Sequence, residues 1–473
     1  MTIDFLGLIQ YWSIFALIGS TLPYLGAKNL STKSKEKLES VQFSGDGNAE
    51  PGPERICIIE TPKDALGIRM ELARNAKKTL DFAYHSIRES LSSRAFLAEV
   101  LGAANRGVKV RILLDGKHVQ LDKKIFSILQ ALNAHDNIEC MLYNPINLFK
   151  PWQWHSFLHD KFIIVDDQYL LLGGRNIDER HFAPNGFKHP TAHDRDVLVE
   201  KTHDHKSTAS AIEQVQQYFN EMLVSKYTVP IHTTELGKDV ISHSYSELNA
   251  SLEKCKESNP QFHIKTFEKY CAEMVSTSRI TLIHNPIYTR KKEPWIAYQL
   301  SRLALNAKKM IWVQTPYMTG NKLLLSIMQK LASKIHLTML TNSMASSPNF
   351  PAFSNYFFQR KRFLQTGVSI FEYQQDDSIH GKSMIIDDHI SMVGSFNLDD
   401  RSMFIDTESM LVIDSGEFAV RLQGAMQDIR QKSLMVGADN QYNCKAEMKE
   451  VSIIKWIIMR ISYLLLRPFQ SLL

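Results

Sequence analysis

HDKFIIVDDQYLLLGGRNIDER, residues 159–180, is written a second time as HGKSMIIDDHISMVGSFNLDDR, residues 380–401. Nine of the 22 positions are identical at a constant offset of 221, and apart from one isoleucine they are His, Lys, Asp, Gly, Asn and Arg. A duplicated core would repeat apolar residues. This duplication repeats polar ones, so the chain carries one kind of chemistry twice.

Each copy reads as a strand (FIIVDD, SMIIDD), a turn and a second strand (QYLLLGG, HISMVGS) that runs into an Asn-bearing loop. Histidine and lysine stand two residues apart at the start of the first strand, so they share one face of the sheet. The repeat extends upstream. Asn75-Ala-Lys-Lys78 followed by TLDFAYHSI matches Asn306-Ala-Lys-Lys309 followed by MIWVQTPYM, in each case a helix running into an apolar strand. Another helix and strand follow in both halves (VKVRILLDG from 108, IHLTMLTNS from 335). The alternation predicts an α/β fold of two lobes with helices on the sheet faces. At 473 residues there is room for both. The expected organisation is a membrane anchor and tether over 1–54, a first lobe over 55–204, a helical connection over 205–278, a second lobe over 279–435 and a basic amphipathic helix over 436–473.

Two imidazoles and two ammonium groups brought together would surround one anion, and phosphate is the natural occupant. One imidazole can attack phosphorus to give a phosphohistidine, while the other protonates the leaving alkoxide and then deprotonates the incoming alcohol or water. The candidate catalytic set is His159, Lys161 and Asp166 with His380, Lys382 and Asp387. Of these, Asp166 and Asp387 are expected to order the strand turn rather than react. Gly174, Asn176, Ser395 and Asn397 are the candidate substrate contacts, since donors there would hold the non-bridging oxygens as charge builds. A neutral, correctly tautomerised imidazole needs an acceptor on its other nitrogen, for which Asp196 and Glu408 are the candidates. The scheme requires no metal and no cofactor. A single His-x-Lys-x4-Asp is a weak signal; two, each followed at the same distance by Gly-x-x-Asn and Asn-x-Asp-x-Arg, are a strong one.

The ends read differently. Phe5 to Ala27 carries no charge over 23 residues, long enough for a transmembrane helix, with a cleaved signal peptide as the competing reading. Lys28, Lys33, Lys35 and Lys37 follow it, which would hold the remainder in the cytoplasm. Residues 28–54 are polar and rich in Ser, Gly and Pro, the composition of a tether. Near the C-terminus Ile453, Ile454, Ile457, Ile458, Ile461, Leu464 and Leu465 recur at helical spacing beside Lys449, Lys455, Arg460 and Arg467, the pattern of a helix lying on an anionic membrane; a terminal helix docked on the core is the alternative. Net charge is +5 and the pI about 8.7, mildly basic, which suits an anionic surface without marking nucleic acid as a partner. Five scattered cysteines read as reduced thiols.

These motifs resemble the paired HKD motifs of the phospholipase D superfamily in its two-motif, single-chain form, over about 55 to 435. Within it GGRNIDERHF, the Thr315-Pro-Tyr317 strand end, Tyr356-x-x-x-Arg360-Lys361 and GSFNLDDRS followed by Glu408 look most like bacterial cardiolipin synthases. The resemblance implies pseudo-twofold lobes, each a mixed sheet flanked by helices, with the site at their interface. It also implies a membrane-bound enzyme that moves a phosphatidyl group to phosphatidylglycerol, with phosphatidylethanolamine as a further candidate substrate, and it points to the inner membrane of a bacterial cell. By similarity His159 would attack and His380 would serve as acid and base. The rival activities are hydrolysis by the same site and cleavage of nucleic acid. The first copy departs from the family in having Gly174 where serine is usual. Arg175 beside it would be an extra cation for a second head group or a solvent-facing arginine, and the run Phe149-Lys-Pro-Trp152-Gln-Trp154 would press into the interface at the pocket mouth or anchor a buried loop.

Overall fold

A computed structural model describes residues 16, 18–45, 52–202, 210–232, 236–260, 266–444 and 447–473. The strands are β1 (Glu54–Ile59), β2 (Thr79–Tyr84), β3 (Lys109–Asp115), β4 (Ile138–Tyr143), β5 (Lys161–Val165), β6 (Tyr169–Gly173), β7 (Ala192–His193), β8 (Asp196–Lys201), β9 (Thr228–Pro230) and β10 (Val275–Ser276) in the first half. The second half has β11 (Arg279–His284), β12 (Met310–Gln314), β13 (His336–Asn342), β14 (Ser369–Tyr373), β15 (Ser378–Ile379), β16 (Lys382–Ile386), β17 (Ile390–Gly394), β18 (Ser409–Asp414) and β19 (Ser433–Val436).

The first sheet runs β10-β1-β8-β6-β5-β2-β3-β4-β9 and the second β11-β18-β17-β16-β12-β13-β14-β19. Leaving out β10, the two orders correspond strand for strand. In both, parallel steps (β2 to β3 to β4; β12 to β13 to β14) adjoin antiparallel hairpins (β5 with β6; β16 with β17), so each sheet is mixed as expected. Strand residues alternate between two cores. Ile163 and Val165 face the outer helices of the first lobe, whereas Phe162 and Ile164 join a core shared by both lobes. That shared core holds the helices Ala211–Leu223 and Gly416–Gln431 between the sheets, including Val215, Phe219, Phe418 and Leu422. Burying each such side chain contributes roughly 1.5–3 kcal/mol, which is why the lobes form one body rather than two beads.

Two boundaries differ from the sequence reading. The segment 205–278 is not a separate connection: β9 pairs with β4 and β10 with β1, so it completes the first sheet at both edges, and the helix Lys238–Ser258 packs on the first lobe. Residues 28–45 are not a tether. The helix Thr32–Glu39, capped by Ser31, buries Leu38, Phe43 joins the second-lobe core, and Gln299 and Arg302 donate to backbone carbonyls of Leu38 and Val41. A few apolar residues suffice to dock a polar segment that composition alone marks as unfolded.

The uncharged stretch 5–27 falls mostly outside the described residues. Its described part is helical at 18–21 and then forms the 3₁₀ turn Leu22–Tyr24, with Tyr24 fully buried and its hydroxyl donating to the Trp152 carbonyl. Among the described residues no helix is long and apolar enough to cross a membrane. The helix Ile453–Leu466 docks on the helix Phe350–Leu364 through buried Met459 and a Tyr463–Phe358 ring contact at 4.9 Å. Lys455 donates to the Ala345 carbonyl and Lys449 pairs with Asp376, so these cations face the protein. The Ile and Leu stripe is left exposed, from 40 % at Ile458 to 77 % at Ile453.

Candidate active site

The two motifs meet across the lobe interface, joined by backbone. His159 N donates to the Thr407 carbonyl and Thr407 N to Phe157, while His380 N donates to His193 and β15 pairs with β7. Each motif histidine therefore begins its strand while tied to the opposite lobe, beside a carboxylate of that lobe. His159 Nδ1 lies 2.8 Å from Glu408 Oε1, and His380 Nδ1 lies 2.6 Å from Asp194 Oδ2. The acceptors are exchanged between lobes, and neither half alone pairs its own motif histidine with a carboxylate.

Asp196 is not the acceptor for an imidazole. It lies two residues further on, buried in β8 between Arg69 at 2.9 Å and Arg175 at 3.1 Å. Arg175 is fully buried and donates also to the carbonyls of Ile59, Glu60 and Asp194, so it is a structural cation and reaches no head group. The equivalence of Asp194 and Glu408 shows in register: Gly174 N donates to Arg195 O, and Ser395 N to Ser409 O, each one residue past the acceptor. The first lobe has a longer loop between its Asn and its acceptor (176 to 194 against 397 to 408), so the constant offset that marks the repeat fails beyond Arg180.

Ser395 serves its neighbour rather than an anion. Its hydroxyl donates to Glu408 Oε2, and Ser402 Oγ donates to Oε1 at 2.6 Å, which fixes the carboxylate against His159. In the first lobe a Cβ on Gly174 would stand 2.2 Å from Asp194 Oδ1. The shorter aspartate occupies the space of the serine side chain, which accounts for glycine at 174. Asn176 and Asn397 each bury a side-chain Oδ1 without a partner in the structure. Lys161 Nζ donates to the His159 carbonyl, and Lys382 Nζ to that of His380 at 2.6 Å while lying 3.3 Å from its Nε2.

Asp166 and Asp387 stand outside the cluster, five residues along their strands from the lysines, roughly 16 Å at the β rise. Asp166 accepts backbone N–H groups of Lys77, Lys78 and Thr79, and Asp387 those of Lys308, Lys309 and Met310. Both adopt left-handed φ, 54° and 50°, which aspartate tolerates better than most residues. They staple the hairpin turn to the neighbouring strand, and the reason for their recurrence is structural.

Burial sets the electrostatics. It pushes His159 well below its ordinary value, reinforced by Lys161, His85, Lys382 and His380, and it pushes His380 to about 3, reinforced by Lys382. Burial also pushes Lys161 to about 7 and Lys382 to about 8. It raises Glu408 well above the usual carboxylate range against the opposing pull of Lys161 and two serines. Asp194 goes the other way: burial would raise it, but His380, Lys382 and His181 together hold it well below its ordinary value. Buried ammonium groups are stabilised by an anion between them.

Further residues crowd the first motif. His85 lies 4.8 Å from the His159 ring and 4.1 Å from His118; His85 Nδ1 is 2.8 Å from the Leu158 carbonyl and His118 Nδ1 is 2.8 Å from Asp115. His181 stands beside Asp194 at 3.4 Å. The groups His85/Asp115/His118 and His181/Asp194/His380 bring ligand atoms within 4.8 Å of one another and could hold a metal ion. In each the carboxylate already meets an imidazole nitrogen. The second lobe carries Pro316, Asn342 and Ala345 where the first has His85, Asp115 and His118, so this feature has no repeat to announce it.

Comparison with known proteins follows the same lines. The family model described as cardiolipin synthase, PLD-like domain, matches residues 70–223 and 300–430, more than half of the chain. Cardiolipin synthase C of Escherichia coli (strain K12) is 26 % identical over 411 residues, 78 % of this chain and 83 % of that protein. Cardiolipin synthase 1 of Staphylococcus epidermidis (strain ATCC 12228 / FDA PCI 1200) is 30 % identical over 76 % of this chain and 65 % of its own length. An uncharacterised protein of Helicobacter pylori (strain ATCC 700392 / 26695) is 29 % identical over 81 % of this chain and 80 % of its own. The crystal structure of phosphatidylserine synthase of Haemophilus influenzae Rd KW20 superposes with a TM-score of 0.66 over 93 % of this chain and 99 % of that one, at 15 % identity, which is likeness of fold. With its duplicated motif, its paired mixed sheets and a family model covering both lobes, the chain belongs to the phospholipase D-like family of cardiolipin synthase type.

Proposed function

We propose that this protein is a cardiolipin synthase, which transfers a phosphatidyl group from one phospholipid, through a phosphohistidine, to a hydroxyl of phosphatidylglycerol. The observation that carries the reading is the exchange of acceptors between lobes, His159 with Glu408 and His380 with Asp194, around two buried lysines. A phosphodiester seated there would have an imidazole on either side of phosphorus, as in-line displacement requires. His159, neutral and facing a carboxyl that burial raises, is suited to attack. His380 faces a carboxylate held ionised, which favours its imidazolium once the substrate's charge offsets Lys382. It would then protonate the leaving alkoxide and later take the proton of the acceptor hydroxyl. Lys161, Lys382, Asn176 and Asn397 would hold the non-bridging oxygens.

Attachment to an anionic phospholipid membrane of a bacterial cell is part of the proposal. Apolar groups are exposed on Ile18, Leu22 and Leu25 and on Ile146, Leu148 and Phe149, two segments that lie near His155, and on the stripe of the C-terminal helix, whose final turn reaches the same region. The Tyr24 ring lies 5.7 Å from that of His155, and Arg401 donates to the carbonyls of His155 and Leu472. Such a patch is suited to the lipid interface. The test is product analysis by mass spectrometry after incubating the reconstituted protein and His159→Ala with phosphatidylglycerol, alone and with phosphatidylethanolamine. Cardiolipin from the unmutated protein only is the expected result. Phosphatidic acid without cardiolipin would mean hydrolysis, and no lipid product would overturn the lipid reading.

A further inference from the structure

Beside the loop that leads into the first motif lies a second cationic cleft, separate from the histidines. It has a volume of about 680 Å³ and is lined by Lys28, Lys150, Lys226, Arg290 and Lys291, with no acidic residue among its walls. These cations come from the N-terminal segment and from both lobes. None of the five forms an ion pair among the described residues, although the chain as a whole carries nearly as many acids as bases, 50 against 55. Lys28 Nζ donates to Tyr288 Oη at 3.1 Å and to the Lys291 carbonyl, and Lys226 Nζ lies over the Tyr227 ring at 5.4 Å. Like charges gathered this way repel, and among the described residues the cost is offset at Lys291 by the field of Asp400, without an ion pair.

Two independent observations point to a ligand. Thr289 lines the same cleft, is 2 % exposed, and its Oγ1 has no hydrogen-bond partner. A buried hydroxyl left unpaired costs roughly 1–3 kcal/mol, so such groups are ordinarily satisfied by something. The next residue, Arg290, has φ of 82°, outside the range that residues with a Cβ favour, and this conformation is pinned by its N–H donating to Ser156 Oγ. Backbone strain of this kind collects at binding sites, where side-chain placement outweighs local comfort.

From these we infer that the cleft binds an anion carrying two or more charges on phosphate oxygens, either the head group of a lipid or a soluble phosphate compound. The cations would take the charge, and the Thr289 hydroxyl, buried behind the cleft wall, would donate to one oxygen once its side chain turns. Occupancy would also bear on the histidine site. Asn144 clasps the loop through the Gln153 and Ser156 carbonyls at 2.7 Å, and Ser156 stands three residues before His159. The inference does not rest on the proposed reaction.

The test is hydrogen exchange of the full chain at fixed salt with inorganic pyrophosphate, and separately with phosphatidylcholine vesicles with and without phosphatidic acid. The readout is protection of residues 144–153 and 288–291. The comparison proteins are the triple variant Lys150→Glu/Lys226→Glu/Arg290→Glu, all three exposed positions, and the near-isosteric Thr289→Val. We expect saturable protection with the unmutated chain, a midpoint at least tenfold higher in the triple variant, and one about threefold higher in Thr289→Val, as loss of one hydrogen bond gives. Protection by pyrophosphate assigns a soluble ligand, and protection only by vesicles with phosphatidic acid assigns a lipid head group. No protection by either, equal protection in the triple variant, or protection by a single-stranded oligonucleotide alone would overturn it.

Discussion

Restoring serine at position 174, the residue its own second copy has at Ser395, should impair the proposed transfer reaction. The Cβ would stand 2.2 Å from Asp194 Oδ1 and 3.0 Å from its Cγ, so the carboxylate must move by more than 1 Å to reach ordinary contact. Asp194 cannot give way at no cost, because Oδ2 is engaged by His380 at 2.6 Å and Oδ1 by the Arg195 N–H at 2.8 Å. Overpacking in such a site costs roughly 1–3 kcal/mol of stability. Loss of a charge-assisted hydrogen bond to His380, worth roughly 1.5–3 kcal/mol, converts to a turnover lower by roughly 10- to 150-fold. The second lobe supplies the compensating change, since Ser395 coexists with a glutamate whose longer chain brings its carboxylate onto the hydroxyl. Gly174→Ser/Asp194→Glu should therefore recover most of the activity that Gly174→Ser loses. The assay is product formation under single-turnover conditions, with thermal melts of all three proteins. Full activity in Gly174→Ser, or a double variant no better than the single one, would refute the reasoning.

Asp194→Asn should lower turnover by two orders of magnitude or so with little loss of fold, whereas Asp196→Asn, which leaves Arg69 and Arg175 sharing a neutral amide, should act mainly on stability, by roughly 3–5 kcal/mol; melts and rates on the same samples separate the two. Asp387→Ala should cost roughly 1–3 kcal/mol by stranding backbone N–H groups. Net of burial, the amides of Lys308, Lys309 and Met310 hold its carboxyl below the ordinary value, so the stability it adds is present above that value and lost as pH falls through the folded one. Because Lys161 titrates at about 7 and Lys382 at about 8 in the empty site, anion binding requires proton uptake above those values, and affinity for inorganic phosphate should fall between pH 7 and 9, up to tenfold per unit for each proton taken up. A pH-independent affinity measured by calorimetry would show that the lysines are not buried with the anion. Removing exposed apolar groups together, Phe149→Ser with Ile453→Ser and Ile457→Ser, should weaken binding to anionic vesicles without altering the melt; unchanged sedimentation with vesicles would exclude that face from the membrane.

What the sequence determined by itself follows from repetition and period. A polar phrase copied at one fixed spacing, set on strands with helices between, requires two like lobes, and it names His159, Lys161, His380 and Lys382 before any coordinate is known. It also suggests that Asp166 and Asp387 order a turn, because aspartate after an apolar strand suits left-handed backbone and caps amides. Tertiary structure alone decided the partners. Glu408 meets His159, and Asp194 rather than Asp196 meets His380, across an interface, so spacing along the chain carries no information about which carboxylate arrives. Near β8 the acceptor is set by sheet register after a loop of unequal length, and a shift of two residues exchanges a carboxylate on His380 for one buried between arginines. His85 and His118 were illegible for the opposite reason, having no counterpart in the second copy. The same holds at the termini: Phe43 and Met459 join the second-lobe core from segments that composition reads as tether or lipid helix, and only the surface they meet makes them anchors.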